Sequence, residues 1–279
     1  MNHEKSIQYN IRKHDKEVGS YKKKHNEIYN FIEQNRINLL LNGIRGSYFS
    51  PNDTVNAFDL GCGTGNLTKH LLELGIDVTA ADVSSKSLEY LSASVKKNAK
   101  LKTVLLNGVD LSEVEDESFD IVCTYSVLHH IPDYLAIVRE MARILRKGGI
   151  LYIDHEVCPS YWEKSVLYEE YLSELNLKNK PPFAKSVLRK IKRLFSLSPW
   201  KRIIVEKVLR QRMLNEEGDI HVFEDDHIEW NVMRDILSKN FEYKDESDYL
   251  VCREEKPAKI WMGWKDRVVD MRYMIAQKK

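Results

Sequence analysis

Val55-Asn56-Ala57-Phe58-Asp59-Leu60-Gly61-Cys62-Gly63-Thr64-Gly65-Asn66 is the stretch that decides how the rest of this chain is read. Residues 55–59 form a short apolar run that ends in an acid, Asp59, as a buried strand would. Glycines then stand at every second position, Gly61, Gly63 and Gly65, where they let backbone come close to a ligand that any Cβ would push away. The amphipathic segment Leu67 to Leu74 follows as a helix, and Gly75 stops it. Strand, glycine turn and helix in that order put the chemistry at the turn.

Downstream the pattern alternates. Residues 77–82 read as a second strand, and Ser84 or Ser85 caps a helix with Leu88, Leu91 and Val95 on one face. Residues 103–106 and 119–124 are the third and fourth strands. Pro132 opens a helix with Leu135, Val138, Met141 and Leu145 at core spacing, Lys147-Gly148-Gly149 closes it, and residues 150–154 are the fifth strand. Strands separated by helices of ten to fifteen residues imply right-handed crossovers and a parallel sheet covered on both faces. Ligands of such sheets sit beyond the carboxyl ends of the strands. Upstream, residues 1–50 are charged and helix-prone, with Ile28, Phe31, Ile32 and Leu39 to Leu41 as apolar positions, and Pro51-Asn52-Asp53 ends this helical layer.

The chain has 279 residues and a net charge of +1, so no global field draws it to nucleic acid or membrane. Four scattered cysteines, Cys62, Cys123, Cys158 and Cys252, lack the spacing of a zinc site or disulfide framework, and no metal is expected. The first residues lack the apolar core of a signal peptide, and no run of about 18 apolar residues occurs, so a cytoplasmic protein is expected.

Asp59-x-Gly61-x-Gly63-x-Gly65 differs from the G-x-G-x-x-G nicotinamide turn and from the phosphate loop. It resembles motif I of the class I S-adenosylmethionine-dependent methyltransferases. Ser118-Phe119-Asp120-Ile121-Val122, then Val127-Leu128-His129-His130-Ile131-Pro132-Asp133, then Arg143-Ile144-Leu145-Arg146-Lys147-Gly148-Gly149 are similar, in order and spacing, to the later motifs of that family. The resemblance covers roughly residues 55–154 plus a C-terminal return. It implies an α/β, Rossmann-like, mostly parallel sheet of seven strands, with S-adenosyl-L-methionine as the cofactor and S-adenosyl-L-homocysteine as its product. Gly61, Cys62, Gly63 and Gly65 would carry the turn against the methionine part, and Asp59 would hold its ammonium, directly or through water. Asp82 would take both ribose hydroxyls, Val83 would pack on the adenine, Val109 and Asp110 would flank that ring, and Ser126 would lie near the methionine.

An oxygen or nitrogen acceptor also needs a base. His155 and Glu156, directly after the fifth strand, and His130 are the candidates. Each has a plainer reading as a structural or solvated side chain. The family's closing helix reappears only at residues 225–237, with strands near 241–246 and 248–253. The organisation expected is therefore an N-terminal helical segment (1–50), a methyltransferase core (51–156), a cap insertion (157–222), a core return (223–253) and a C-terminal extension (254–279). Within the insertion, residues 185–195 form a basic amphipathic helix, and Lys201, Arg202, Lys207, Arg210 and Arg212 continue the basic run. That helix either roofs the cleft with a solvated basic face, or grips an anionic substrate or touches a membrane. The acceptor expected is a small or lipid-like molecule. Alternatives are RNA or protein methylation and a non-catalytic cofactor-binding role; a homodimer contact through the tail is also open.

Overall fold

The computed structural model describes residues 3–96, 99–163, 165–178, 219–254 and 258–279. The basic segment 185–195 and the arginines and lysines after it lie outside the described residues. The N-terminal layer consists of α1 (His3–Glu17), the short helices α2 (Tyr21–Lys24) and α3 (Asn26–Tyr29), and α4 (Phe31–Tyr48). The Asn30 side chain caps α4 by accepting the Glu33 N–H at 3.0 Å, an ordinary cap that starts the helix at the next residue.

The core then runs β1 (Asn56–Leu60), α5 (Asn66–Glu73), β2 (Asp77–Asp82), α6 (Ser85–Ser94), β3 (Leu101–Leu105), β4 (Phe119–Tyr125), α7 (Tyr134–Ile144) and β5 (Leu145–Val157). Ser84 caps α6 through the Ser87 N–H, and Asp133 caps α7 through the Ala136 N–H. The later elements are α8 (Val166–Lys178), the two-residue strands β6 (Val222–Phe223) and β7 (Asp226–His227), α9 (Trp230–Ser238), β8 (Phe241–Tyr249), α10 (Lys259–Trp264) and β9 (Met271–Lys278).

A seven-stranded sheet has the order β3-β2-β1-β4-β5-β9-β8. Neighbours from β3 to β5 are parallel, and β9 is antiparallel to both β5 and β8. The chain steps outward from β1 to β2 and β3, then returns to lay β4 on the other side of β1. That reversal opens a crevice at the carboxyl ends of β1 and β4, where the glycine turn and Ser126 meet.

Both faces are covered. Phe58, Val122 and Leu151 point to one side and pack with Val138 and Met141 of α7 and Met233 and Leu237 of α9. Ala57, Ile121 and Tyr152, one residue out of phase, point to the other and meet Ile37 and Leu41 of α4 and Leu67 and Leu71 of α5.

Two expectations change. Residues 248–253 do not form a strand of their own: β8 runs to Tyr249, and Leu250, Val251 and Cys252 are buried without strand pairing. Asp270 accounts for this, because its carboxylate accepts the Val251 N–H at 2.9 Å and pairs with Arg253, so this apolar run is satisfied outside the sheet. The last strand is β9, inside the stretch expected to be an extension.

Candidate active site

The three glycines of the turn all have positive φ, at 68°, 50° and 91°, but they answer to different neighbours. A Cβ on Gly61 would lie 2.5 Å from Val127 Cγ2, and one on Gly65 would lie 2.4 Å from Leu91 Cδ1, so these two permit packing behind the turn. A Cβ on Gly63 would meet nothing within 4 Å. With Gly61, Gly63 lines an open cleft, and it is the one whose missing Cβ leaves free space.

That cleft is lined by Gly61, Gly63, Asp82, Val83, Val109, Asp110 and Ser126, which brings together seven residues named from the sequence. Asp59, Cys62 and Gly65 are not among its lining. Asp59 is buried beneath the turn, where it accepts the Thr68 hydroxyl at 2.5 Å; burial pushes its pKa up to about 7, against the hydrogen bonds from Thr68. Through that bond it braces α5 against β1.

Asp82 accepts the Ser84 N–H through Oδ1 and the Gly63 N–H through Oδ2, both at 2.8 Å, so one carboxylate fixes both the turn and the start of α6. Burial raises its pKa, opposed by those backbone donors. Asp110 is half-buried and its Oδ1 accepts from Asn107 and Ser112, which shape the loop after β3. The other wall was not anticipated: Ile7, Asn10 and His14 of α1 line the cleft. A charged helix reads as surface, and nothing in its pattern says that its few apolar turns roof a ligand.

A second, open cavity adjoins the first, with His14, Tyr21, Ser126 and His130 lining both. Its other walls mix charged and polar groups, Lys13, Glu17, His25, Glu27, His129 and Arg253 among them, with the apolar Ile28, Val157, Val222 and Met271. His155 also faces it, and a local irregularity puts it there. The β5–β9 register slips between Ile153 and Glu156, and His155 takes φ +63°, the behaviour of a bulge that re-aims a side chain.

The ring of His155 stacks on Tyr125, with centroids 4.7 Å apart, and its Nδ1 lies 2.9 Å from the Tyr125 hydroxyl and 3.0 Å from that of Tyr249. The Tyr125 hydroxyl donates to Glu33 and the Tyr249 hydroxyl to Asp154, so both can only accept from Nδ1–H. The network thus assigns the tautomer with Nε2 as the acceptor. Arg36 holds the far side by donating to both Glu33 and Asp154. Burial opposes it, yet the hydrogen bonds from His155 and Arg36 bring Glu33 down to about 2.

Glu156 sits elsewhere than expected. It lines neither cavity; its Oε1 accepts the N–H groups of Val127 (2.9 Å) and Leu128 (2.8 Å), and its Oε2 lies 2.7 Å from His129 Nδ1. The bulge that turns His155 into the cavity turns Glu156 onto the loop after β4. His129, His130 and Asp219 bring three potential ligand atoms within 4.8 Å of one another.

Comparison with known proteins agrees with this fold. A family model described as a methyltransferase domain matches residues 58–153, from β1 through the core of β5. Residues 58–153 thus carry a methyltransferase domain. Outside this methyltransferase domain the likeness thins. The ubiquinone biosynthesis O-methyltransferase of Xanthomonas oryzae pv. oryzae is 33% identical over 144 residues, covering 48% of this chain and 59% of that protein. The chain thus spans about three fifths of the length of the curated relatives it matches. Among solved structures, the N-methyltransferase NodS from Bradyrhizobium japonicum, solved with S-adenosyl-L-homocysteine, superposes with a TM-score of 0.56 at 14% identity, covering 96% of this chain and 98% of that one. A methyltransferase from Methanosarcina mazei gives 0.51 at 19%, covering 84% and 96%. These two likenesses are of fold. Among the described residues no helix is long and apolar enough to cross a membrane.

Proposed function

We propose that the chain transfers the methyl group of S-adenosylmethionine to an oxygen of a small polar acceptor bound in the second cavity. One observation carries the reading: Ser126 and His130 line both cavities, so a methyl group presented past the glycine turn faces whatever the second cavity holds. In this reading Asp82 takes the ribose hydroxyls, Val83 and Val109 sandwich the adenine, and the loop at Asp110 accepts from its amine. The methionine end runs along Gly61 and Gly63 toward Ser126.

The reaction is an in-line displacement. The acceptor oxygen forms the new bond to the methyl carbon, the carbon–sulfur bond breaks, and its electron pair neutralises the sulfonium. Holding the oxygen about 3 Å from the methyl carbon supplies much of the rate. His155, with Nε2 as its acceptor, takes the departing proton. Relatives named as O-methyltransferases support an oxygen acceptor. The cavity wall carries both bases (Lys13, His25, Arg253) and acids (Glu17, Glu27, Asp219), which supports a molecule with hydrogen-bonding groups.

The test is calorimetry with S-adenosylmethionine followed by transfer of a labelled methyl group into a fractionated cell extract. Label in the small-molecule fraction is the expected result. Label confined to RNA or protein, or tight binding without product, overturns the reading.

A further inference from the structure

We infer that His129, His130 and Asp219 form a binding site for a divalent transition-metal cation, and that the bound ion grips a pair of oxygens on the acceptor. The first half stands on the side chains alone. The second rests on the second cavity being the acceptor's.

The geometry is that of two imidazoles and one carboxylate. His130 Nδ1 lies 3.2 Å and His129 Nε2 3.8 Å from Asp219 Oδ1. Ligand atoms about 2.1 Å from one ion lie roughly 2.9 to 3.4 Å apart, so small side-chain rotations close the set around a cation. Two nitrogens and one carboxylate suit zinc, cobalt(II) or iron(II) better than magnesium or calcium, and three protein ligands leave positions open.

His129 is prepared for this role. Glu156 Oε2, 2.7 Å from its Nδ1, holds the proton on that nitrogen and leaves Nε2 as the lone pair directed toward Asp219. A carboxylate behind a ligating histidine is how metal sites fix ring orientation and raise basicity. Glu156 is itself pinned by the N–H groups of Val127 and Leu128. Asp219 is brought to the histidines by backbone: the His129 carbonyl accepts the N–H groups of Ile220 (2.9 Å) and His221 (3.1 Å). Two distant segments thus meet at one point, and the point lies in the wall of the second cavity, with His130 at its junction with the first.

An ion there would take two neighbouring oxygens of an acceptor, as in a catechol or an α-hydroxy acid, and acidify the one that is methylated. Its proton leaves to His155 or water, and the oxygen's lone pair forms the bond to the methyl carbon. Sulfur keeps the pair of the broken bond, and the ion does not change oxidation state.

The test needs neither cofactor nor acceptor. Chelator-treated protein is titrated with Co²⁺ alone and read by visible absorption. One bound equivalent with ligand-field bands is expected, and Asp219→Ala, Asp219→Asn and His129→Ala should each abolish them. All three should bind S-adenosyl-L-homocysteine normally, since neither residue lines the first cavity, which also reports that they fold. Glu156→Gln keeps an acceptor for Val127 and Leu128 but loses the charge behind His129, and should weaken Co²⁺ about 10- to 100-fold. Wild-type protein that binds no Co²⁺ or Zn²⁺, or variants that bind as wild type does, overturns the site. If Co²⁺ binds but the cofactor does not, methyl transfer fails and the cation site stands.

Discussion

Replacing Asp82 with alanine tests where the cofactor's ribose lies. A carboxylate offers about four acceptor positions, and the N–H groups of Ser84 and Gly63 each take one, at 2.8 Å. About two remain for a ligand in the cleft that Asp82 lines. Two hydroxyl donors to a charged acceptor, at a net of about 1.5 kcal/mol each, amount to roughly 100-fold in affinity. Asp82→Ala also unties Gly63, so the loss alone is ambiguous. An analogue of S-adenosyl-L-homocysteine lacking both ribose hydroxyls separates the two effects. Calorimetry should find that wild type loses the same roughly 100-fold on passing to the analogue, whereas Asp82→Ala no longer distinguishes the two ligands. Unchanged affinity for the natural ligand in Asp82→Ala, or discrimination as strong as in wild type, refutes the argument.

Three further outcomes follow from groups beneath and beside the cleft. Burial raises Asp59 to about 7 from an ordinary 3.8, so the native state retains a proton that the unfolded chain releases. Its contribution to stability is full below the unfolded value and is lost as pH rises through about 7, at about 1.4 kcal/mol per pH unit within that window. Asp59→Asn should flatten that slope in urea unfolding of the free protein between pH 5 and 8; identical slopes would mean that Asp59 is ionised. Arg36→Met leaves Glu33 and Asp154, 2% and 0% exposed, without their shared cation. It should cost about 3–5 kcal/mol, and a shift in urea midpoint worth less than about 1 kcal/mol would show the network to be self-sufficient. His155→Asn retains a residue that tolerates φ +63°. It should lower turnover about 10²- to 10⁴-fold with little change in cofactor affinity, and full turnover would remove His155 as the base.

The first five strands were legible because each is a short apolar run closed by a turn or a cap, and the crossover helices carry one-sided apolar spacing. The cofactor cleft was legible through a local motif. Residues whose role depends on distant partners were not. Glu156 and His155 are adjacent and look alike as loop polar groups, and only a one-residue slip against β9 sends them to different places. Asp219 has no local signature; its meaning comes from the His129 carbonyl ninety positions upstream. The same holds for the helix that walls the cleft. In α1 the pattern of charge describes its outer face, and Ile7 and His14 become part of a cleft only once the glycine turn lies beside them. Leu250 to Cys252 read as a strand because burial and strand pairing usually coincide, and Asp270 separates the two.

The position of β9 bears on how the sheet is assembled during synthesis. Ile150 pairs with Gln277, and β8 has β9 as its sheet neighbour. While residues 271–278 are still within the ribosome, β5 presents a bare edge and β8 waits unpaired, although the glycine turn has long been made. The bulge that aims His155 is defined against this same strand. A nascent chain can therefore complete the cleft at the glycine turn well before His155 is aimed, and its bare edge in the interval is open to pairing with another strand.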